Sequence, residues 1–141
     1  PDVLFLLGGE GDLLDETKVI APSNVKFLGW TNPETIWSAS DIALLTSDNE
    51  AQPISLIEAS YSSLPIVAQN VGSVSEVVDD GVTGILVSDY QESVAALEKL
   101  IANIELRLSL GSAGRAYVKI RFSPAQFILG HEAAYSRALR K

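Results

Sequence analysis

The stretch IALLTSDNEAQPISLIEASYSSLPIVA, residues 42–68, contains two short apolar segments separated by a helical pattern. The apolar segments, 42–45 and 65–68, are continuous, which is typical of strands covered on both faces. The helical pattern, 53–62, begins with Pro53, and a proline at the first helical position loses no hydrogen bond. A strand, a helix and a second strand in this order predict a parallel sheet.

The same alternation runs through the first 87 residues. Further apolar segments lie at 3–7, 25–28 and 84–87, and helical patterns lie at 12–20, 33–40 and 73–78. In the turn 80–84, we expect Gly81 and Gly84 to supply positive φ. The sequence therefore predicts an α/β fold. We expect a Rossmann-like, doubly wound parallel sheet with helices on both faces, in a single domain over residues 1–141.

After residue 87 the sequence predicts helices alone. Spacings of three and four predict a first inward face formed by residues 94, 97, 101 and 104. The same spacings predict a second inward face formed by residues 106, 110, 113, 117 and 120. Ser123 and Pro124 begin a last predicted helix, which ends near residue 139.

Composition limits the class of protein. The 141 residues are 47% hydrophobic and 20% charged, which is typical of one compact domain. The formal net charge of −8 argues against nucleic acid as a partner, because phosphate binding needs clustered Lys and Arg. The chain contains no cysteine and no apolar run of ~20 residues, and it fits a cytoplasmic location. The absence of an initiator Met suggests a chain cut from a larger protein.

The predicted sheet selects four loops as candidate binding sites. Ligands of open parallel sheets bind at the carboxyl ends of the strands, which places loops 8–11, 29–31, 46–52 and 69–75 at the site. The first loop, GGEG, fits neither G-x-G-x-x-G nor a P-loop. It is either a phosphate-binding loop or a turn that needs glycine.

The segment between Glu50 and Glu58 has the pattern of an anion site. The amide N–H groups of Ile54, Ser55 and Leu56 would be free at the helix N-terminus, where the dipole favours a diphosphate. Ser55 and Glu58 would share a face turned toward the sheet edge. The buried stripe beside that face is predicted to consist of Ile54, Ile57 and Tyr61.

The two glutamates have two interpretations. A pair of ribose hydroxyls would hydrogen-bond Glu58 at the edge of the core, and Glu50 would bind the hydroxyls of a sugar. Alternatively, Glu50 is an ordinary loop acid and Glu58 a solvated surface residue.

Six short motifs follow one another along nearly the whole chain. They are LLGGEG (6–11), VKFLGW (25–30), SDIALLTS (40–47), the pair Glu50 and Glu58, LPIVAQNVGSVSE (64–76) and DGVTGILV (80–87). In this order they resemble the nucleotide-binding C-terminal domain of retaining GT-B glycosyltransferases of group 1, with their E-x7-E motif. The resemblance implies transfer of a sugar from a nucleotide diphosphate sugar, with retention of configuration and without a metal ion.

The resemblance also implies roles for individual residues. Glu50 would be the catalytic residue beside the donor sugar, and Glu58 would hold the ribose. Other donor-binding positions would be Gln52, Pro53, Ile54, Ser55, Gly8, Gly9, Gly29, Trp30, Gly72 and Ser73. The base would rest on the segment formed by Gly29 and Trp30.

The chain departs from the family pattern at three places. Ala51 and Ser73 stand where glycine is common, and we expect their Cβ atoms to narrow substrate choice. The first central strand, followed in the family by an Arg and a Lys that clamp the diphosphate, has no counterpart here. Three outcomes are possible for the resulting gap in the sheet. Residues 3–7 and 42–45 pair directly and close it, a second copy of the chain fills it, or an apolar slot remains.

These features favour the donor-binding part of a glycosyltransferase, which is inactive without its partner domain. The expected partners are a nucleotide diphosphate sugar and an N-terminal acceptor domain that this chain lacks. We also expect the fragment to self-associate. Membrane association is expected through the missing half. The alternatives are a sugar-nucleotide epimerase of similar architecture and a non-catalytic nucleotide- or partner-binding module, such as a receiver-type signalling domain.

Overall fold

A computed structural model describes residues 3–140; Pro1, Asp2 and Lys141, which the predicted domain includes, lie outside the described residues. Strands and helices alternate up to residue 87 and only helices follow, which confirms the predicted α/β class. The strands are β1 Phe5–Gly8, β2 Val25–Gly29, β3 Ala43–Leu45, β4 Ile66–Gln69 and β5 Gly84–Val87. The helices are α1 Leu14–Ile20, α2 Pro33–Ser38, α3 Ile54–Tyr61, α4 Tyr90–Ala102, α5 Ile104–Arg121 and α6 Pro124–Ala138, with a 3₁₀ helix at Val74–Glu76.

The chain divides into two compact units, Pro1–Ser40 and Asp41–Lys141. In the first unit β1 and β2 form a parallel pair in which Phe5 lies opposite Val25. Helix α2 begins as predicted, because Asn32 caps it and Pro33 occupies its first turn. A Cβ at Gly8 would overlap the side chain of Ile36, so glycine allows α2 to pack against the end of β1.

The second unit contains a three-stranded parallel sheet in the order β3-β4-β5. In β4, Ile66, Val67 and Ala68 are all fully buried, although successive side chains point to opposite faces. The prediction that this strand is covered on both faces is therefore confirmed. One core cluster consists of Val67, Val87, Ala96, Leu100 and Leu110.

The strands form two separate sheets. Within residues 3–140, β1 pairs only with β2, and β3 pairs only with β4. Of the three alternatives for residues 3–7 and 42–45, direct pairing is therefore wrong. In the first unit β1 has one edge without a strand partner among residues 3–140, and in the second unit the same is true of β3.

The inward faces of α4 and α5 match the predicted ones only in part: Leu110 is buried as predicted, and Leu97 and Leu106 pack against the core cluster. The buried residues of α4 are Ser93, Ala96 and Leu100, whereas Ile101 is 45% exposed. Ile104 begins α5 instead of continuing the face of α4. In α5 the buried residues are Leu110, Gly111, Gly114 and Val118. Small residues allow close approach between elements, so they occupy inward positions that an apolar periodicity does not mark.

Two local predictions also need correction. The segment 73–78 forms only a short 3₁₀ helix instead of an α-helix. In the turn 80–84, Gly81 has φ +72°, as expected, but Gly84 belongs to β5 and has no positive φ. A Cβ at Gly84 would lie 2.7 Å from the carbonyl oxygen of Ile66, so close packing explains this glycine.

None of the helices described between residues 3 and 140 combines the length and the apolar character needed to cross a membrane.

Candidate functional site

The N-terminus of α3 follows the loop that leaves β3. Pro53 is the N-cap residue rather than the first helical residue, and no side chain caps this end of the helix. Within residues 3–140, the amide N–H groups of Ile54 and Ser55 donate to no protein acceptor. The amide of Leu56 was also expected to be free, but it donates to the carbonyl oxygen of Pro53 at 3.1 Å, which closes the first turn. Two free amides therefore remain.

The electrostatics of this helix end differ from those of most other helices. Helices α1, α2, α4 and α5 each carry an acidic residue in the first turn, whereas α3 carries none. Side-chain caps satisfy the ends of four other helices: Asn32, Asp89, Asn103 and Ser123. The positive end of the α3 dipole is therefore not offset by an acid or a cap of its own first turn, and it favours an anionic ligand.

The buried face of α3 is not the predicted stripe of Ile54, Ile57 and Tyr61. Its buried residues are Leu56, Ala59 and Ser60, and Ile54 is 68% exposed. The reason is contact with α5, because a Cβ at Gly111 would overlap the carbonyl oxygen of Ser63 just after α3. The absence of a side chain at Gly111 thus allows α3 to pack closely on α5 through its face of Leu56, Ala59 and Ser60.

The main chain of Glu50 is held by the loop that follows β4. The amide of Ser73 donates to the carbonyl oxygens of Glu50 and Ala51, at 3.4 and 3.2 Å. Gly72 has φ +53°, and a Cβ there would overlap the carbonyl oxygen of Glu50 and lie 2.8 Å from its carbonyl carbon. The structure therefore brings Glu50, Gly72 and Ser73 together, as the sequence predicted for one site.

This arrangement gives three residues a role that sequence reasoning missed. Gly72 was predicted to lie against the ligand, and the structure shows that it packs against the backbone of Glu50. Ala51 and Ser73, the two departures from the family pattern, are hydrogen-bonded to each other through their main chains. A glycine in a loop is compatible with contact to a ligand and with packing against the protein backbone. The sequence alone does not distinguish these two roles.

The carboxylates of Glu50 and Glu58 are available for a ligand. Both residues are partly buried. Across residues 3–140, neither carboxylate accepts a hydrogen bond or pairs with a cation; the ion pair found there joins Lys18 to Asp15 at 3.5 Å. Among the described residues, the buried side-chain atoms without a partner are Trp37 Nε1 and Ser60 Oγ, so the oxygens of Glu50 and Glu58 are open to water. Hydroxyl groups of a ligand could therefore replace that water and donate to both carboxylates.

Four of the predicted residues, Gly8, Gly9, Gly29 and Trp30, lie in the first compact unit, at the carboxyl ends of β1 and β2. The amide of Gly9 donates to the carbonyl oxygen of Gly29 at 2.8 Å, which brings these two loops together. Gly9 and Gly29 both have positive φ, at 125° and 63°. Trp30 is 81% exposed, so its ring offers an open surface for stacking.

Exposed Gln52 and buried Pro53 complete the predicted set in the second unit. In the described part of the chain, no group of three or more His, Asp or Glu residues is placed to hold a metal ion.

Comparisons with known proteins agree on one family. A family model described as "Glycosyl transferases group 1" matches residues 1–117. Human alpha-1,3/1,6-mannosyltransferase ALG2 is 41% identical over 85 residues, or 60% of this chain and 20% of that protein. D-inositol 3-phosphate glycosyltransferase of Corynebacterium kroppenstedtii is 31% identical over 122 residues, or 83% of this chain and 27% of that protein.

A solved structure matches as well. A mutant of S. aureus TarM, in complex with fondaparinux, alpha-GlcNAc-glycerol and UDP, aligns with a TM-score of 0.78 at 26% identity. The alignment covers 86% of this chain and 26% of TarM. The chain therefore spans 20–27% of the length of the two curated relatives and a similar share of TarM.

Proposed function

Because the chain belongs to the group 1 glycosyltransferase family, we propose that it is the donor-binding part of an enzyme that transfers a sugar from a nucleotide diphosphate sugar. Membership confirms the family that the six motifs indicated, and it favours this function over an epimerase or a receiver-type module. The transfer would retain the anomeric configuration, and this chain alone would be inactive.

One observation carries the proposal: α3 and the loop before it hold two amides and two carboxylates that have no protein partner among residues 3–140. The amides of Ile54 and Ser55 are suited to the diphosphate, because N–H donors at a helix N-terminus bind anions. Glu58 is suited to the ribose hydroxyls and Glu50 to the hydroxyls of the donor sugar. The loop of Gly72 and Ser73 supports this set through the main chain of Glu50.

The same groups suggest how the chain would contribute to transfer. Negative charge develops on the diphosphate as the bond to the sugar breaks, and N–H donors already in position stabilise that charge. The amides of Ile54 and Ser55 need no reorganisation for this, because the helix fixes them. Glu50 would orient the sugar by accepting hydrogen bonds from its hydroxyls.

Several further properties belong to the proposal. The acceptor site would lie in a separate domain outside residues 1–141, and any membrane association would come from that domain. Self-association is also proposed, since β1 and β3 each have an edge without a strand partner in residues 3–140. No metal ion would be needed for donor binding.

Replacing Glu58 tests the ribose contact. We expect Glu58→Gln to weaken UDP binding about tenfold or more, because a hydrogen bond to a charged group contributes ~1.5–3 kcal/mol. Inorganic pyrophosphate, which has no ribose, should bind the variant and the unchanged protein equally. UDP is the chosen probe because the TarM structure contains it. Dissociation constants from NMR titrations of the chain check both expectations.

The matched control is Glu98→Gln, an exposed acid in the middle of α4. It should leave both dissociation constants unchanged. Equal weakening of UDP by the two variants, or loss of pyrophosphate binding in Glu58→Gln, would contradict the ribose role. For the unchanged chain, we expect a UDP dissociation constant weaker than micromolar, because residues 1–141 contain no match to the Arg and Lys that the family resemblance assigns to the diphosphate.

A further inference from the structure

Two side chains of α5 donate hydrogen bonds to the same main-chain oxygen. The Tyr117 hydroxyl lies 3.1 Å from the carbonyl oxygen of Glu76, and Arg121 Nε lies 3.3 Å from it. The two donors are one helical turn apart on α5, so a single face of that helix holds the carbonyl. The contact joins residues more than 40 positions apart in the chain.

The carbonyl they hold ends the 3₁₀ helix Val74–Glu76. At its start, Val74 is fully buried and Ser73 donates its amide to the carbonyl oxygens of Glu50 and Ala51. The amide of Glu76 donates to the carbonyl oxygen of Ser73 at 3.0 Å, so the two ends of this turn are bonded to each other. A displacement of Glu76 would therefore move Ser73.

We propose that Tyr117 and Arg121 are positioning residues for the donor site. By fixing the Glu76 carbonyl, they hold the Ser73 amide against the main chain of Glu50. They thereby fix the backbone position from which the Glu50 side chain extends. The inference rests on the proposed function only in its last step, because the contacts from α5 to Glu50 are independent of any ligand. Neither side chain is expected to contact the donor.

At Tyr117 and at Arg121, a conservative substitution removes the hydrogen-bond donor group and keeps most of the side-chain packing. Tyr117→Phe removes the hydroxyl and retains the edge-on contact with Phe122, whose ring centroid is 6.5 Å away. Arg121→Lys retains the charge but loses Nε. Matched controls are Tyr90→Phe, 77% exposed, and Arg137→Lys, whose Nε bonds only within α6.

The first measurement is amide hydrogen exchange in the 141-residue chain. In the Tyr117→Phe, Arg121→Lys double variant, we expect the Ser73 amide to exchange about tenfold faster. The reason is that the variant loses the two exposed hydrogen bonds to the Glu76 carbonyl oxygen. Exchange at Val67, in the centre of β4, should stay unchanged, since it reports on the stability of the core. The control pair should change neither rate. Unchanged exchange at Ser73, or equal acceleration at Val67, would overturn the positioning role.

The second measurement links the contact to the ligand. The double variant should weaken UDP binding about three- to tenfold, and Arg121→Lys alone should weaken it less, since the Tyr117 hydroxyl still donates to the carbonyl oxygen of Glu76. Unchanged UDP affinity together with faster exchange at Ser73 would show that the contact is structural only, which also overturns the proposal. If the unchanged chain binds no UDP, the proposed function fails, and the exchange at Ser73 then decides the positioning role by itself.

Discussion

Replacing Gly72 by alanine should destabilise the chain by about 3 kcal/mol and abolish detectable UDP binding. Part of this cost, ~1–2 kcal/mol, comes from placing a Cβ in the left-handed region of φ. The rest comes from overlap with the carbonyl group of Glu50, which is backbone and can move only with its whole loop. Because that loop leads directly into the N-terminus of α3, its displacement would also disturb the binding site.

The chain contains a matched control for this effect. Gly81 has φ +72° and no atom within 4 Å of the place where a Cβ would lie, so Gly81→Ala should cost only the ~1–2 kcal/mol of backbone strain. Urea denaturation gives both free energies of unfolding, and an NMR titration gives the UDP affinity. Equal destabilisation by the two variants would show that the contact between Gly72 and Glu50 does not constrain the loop.

Replacing Gly111 by alanine should lower the free energy of unfolding by about 2–3 kcal/mol. A Cβ at this position would overlap the carbonyl oxygen of Ser63, at the end of α3, and would force α5 away from that helix. The loss should exceed the gain of up to ~1 kcal/mol that alanine normally brings to a helix interior. Denaturation monitored by circular dichroism measures the change.

Gly130 in α6 provides the opposite case. It has open space around a Cβ position and an ordinary helical backbone, so Gly130→Ala should stabilise the chain by about 0.5–1 kcal/mol. The two Gly→Ala changes should therefore differ in sign. Stabilisation by Gly111→Ala would contradict the close packing of α5 on the end of α3.

Much of the fold was predictable because its strands are short, continuous apolar segments. The predicted segment 84–87 coincides with β5, and Asn32 and Pro33 define the start of α2. The inward faces of the later helices were not predictable in the same way. Gly111 is buried where α5 approaches the backbone of Ser63, and Ser93 is buried in α4 with its hydroxyl bonded to the Asp89 carbonyl oxygen. Hydrophobic spacing does not indicate that such small or polar residues face inward.

The candidate site was predictable to the level of its segments but not of its contacts. Helix polarity correctly indicated free amides at Ile54 and Ser55, whereas the bond from Leu56 to Pro53 depends on how the first turn closes. The contact between Gly72 and Glu50 joins loops 22 positions apart. Only the folded backbone brings them together, so the sequence shows both residues without showing that one supports the other.

A crystal structure of the chain soaked with UDP tests the central proposal most directly. The prediction is that diphosphate oxygens lie within hydrogen-bond distance of the amide nitrogens of Ile54 and Ser55, with the ribose hydroxyls on the carboxylate of Glu58. UDP bound elsewhere, with these two amides and Glu58 still facing solvent, would contradict it.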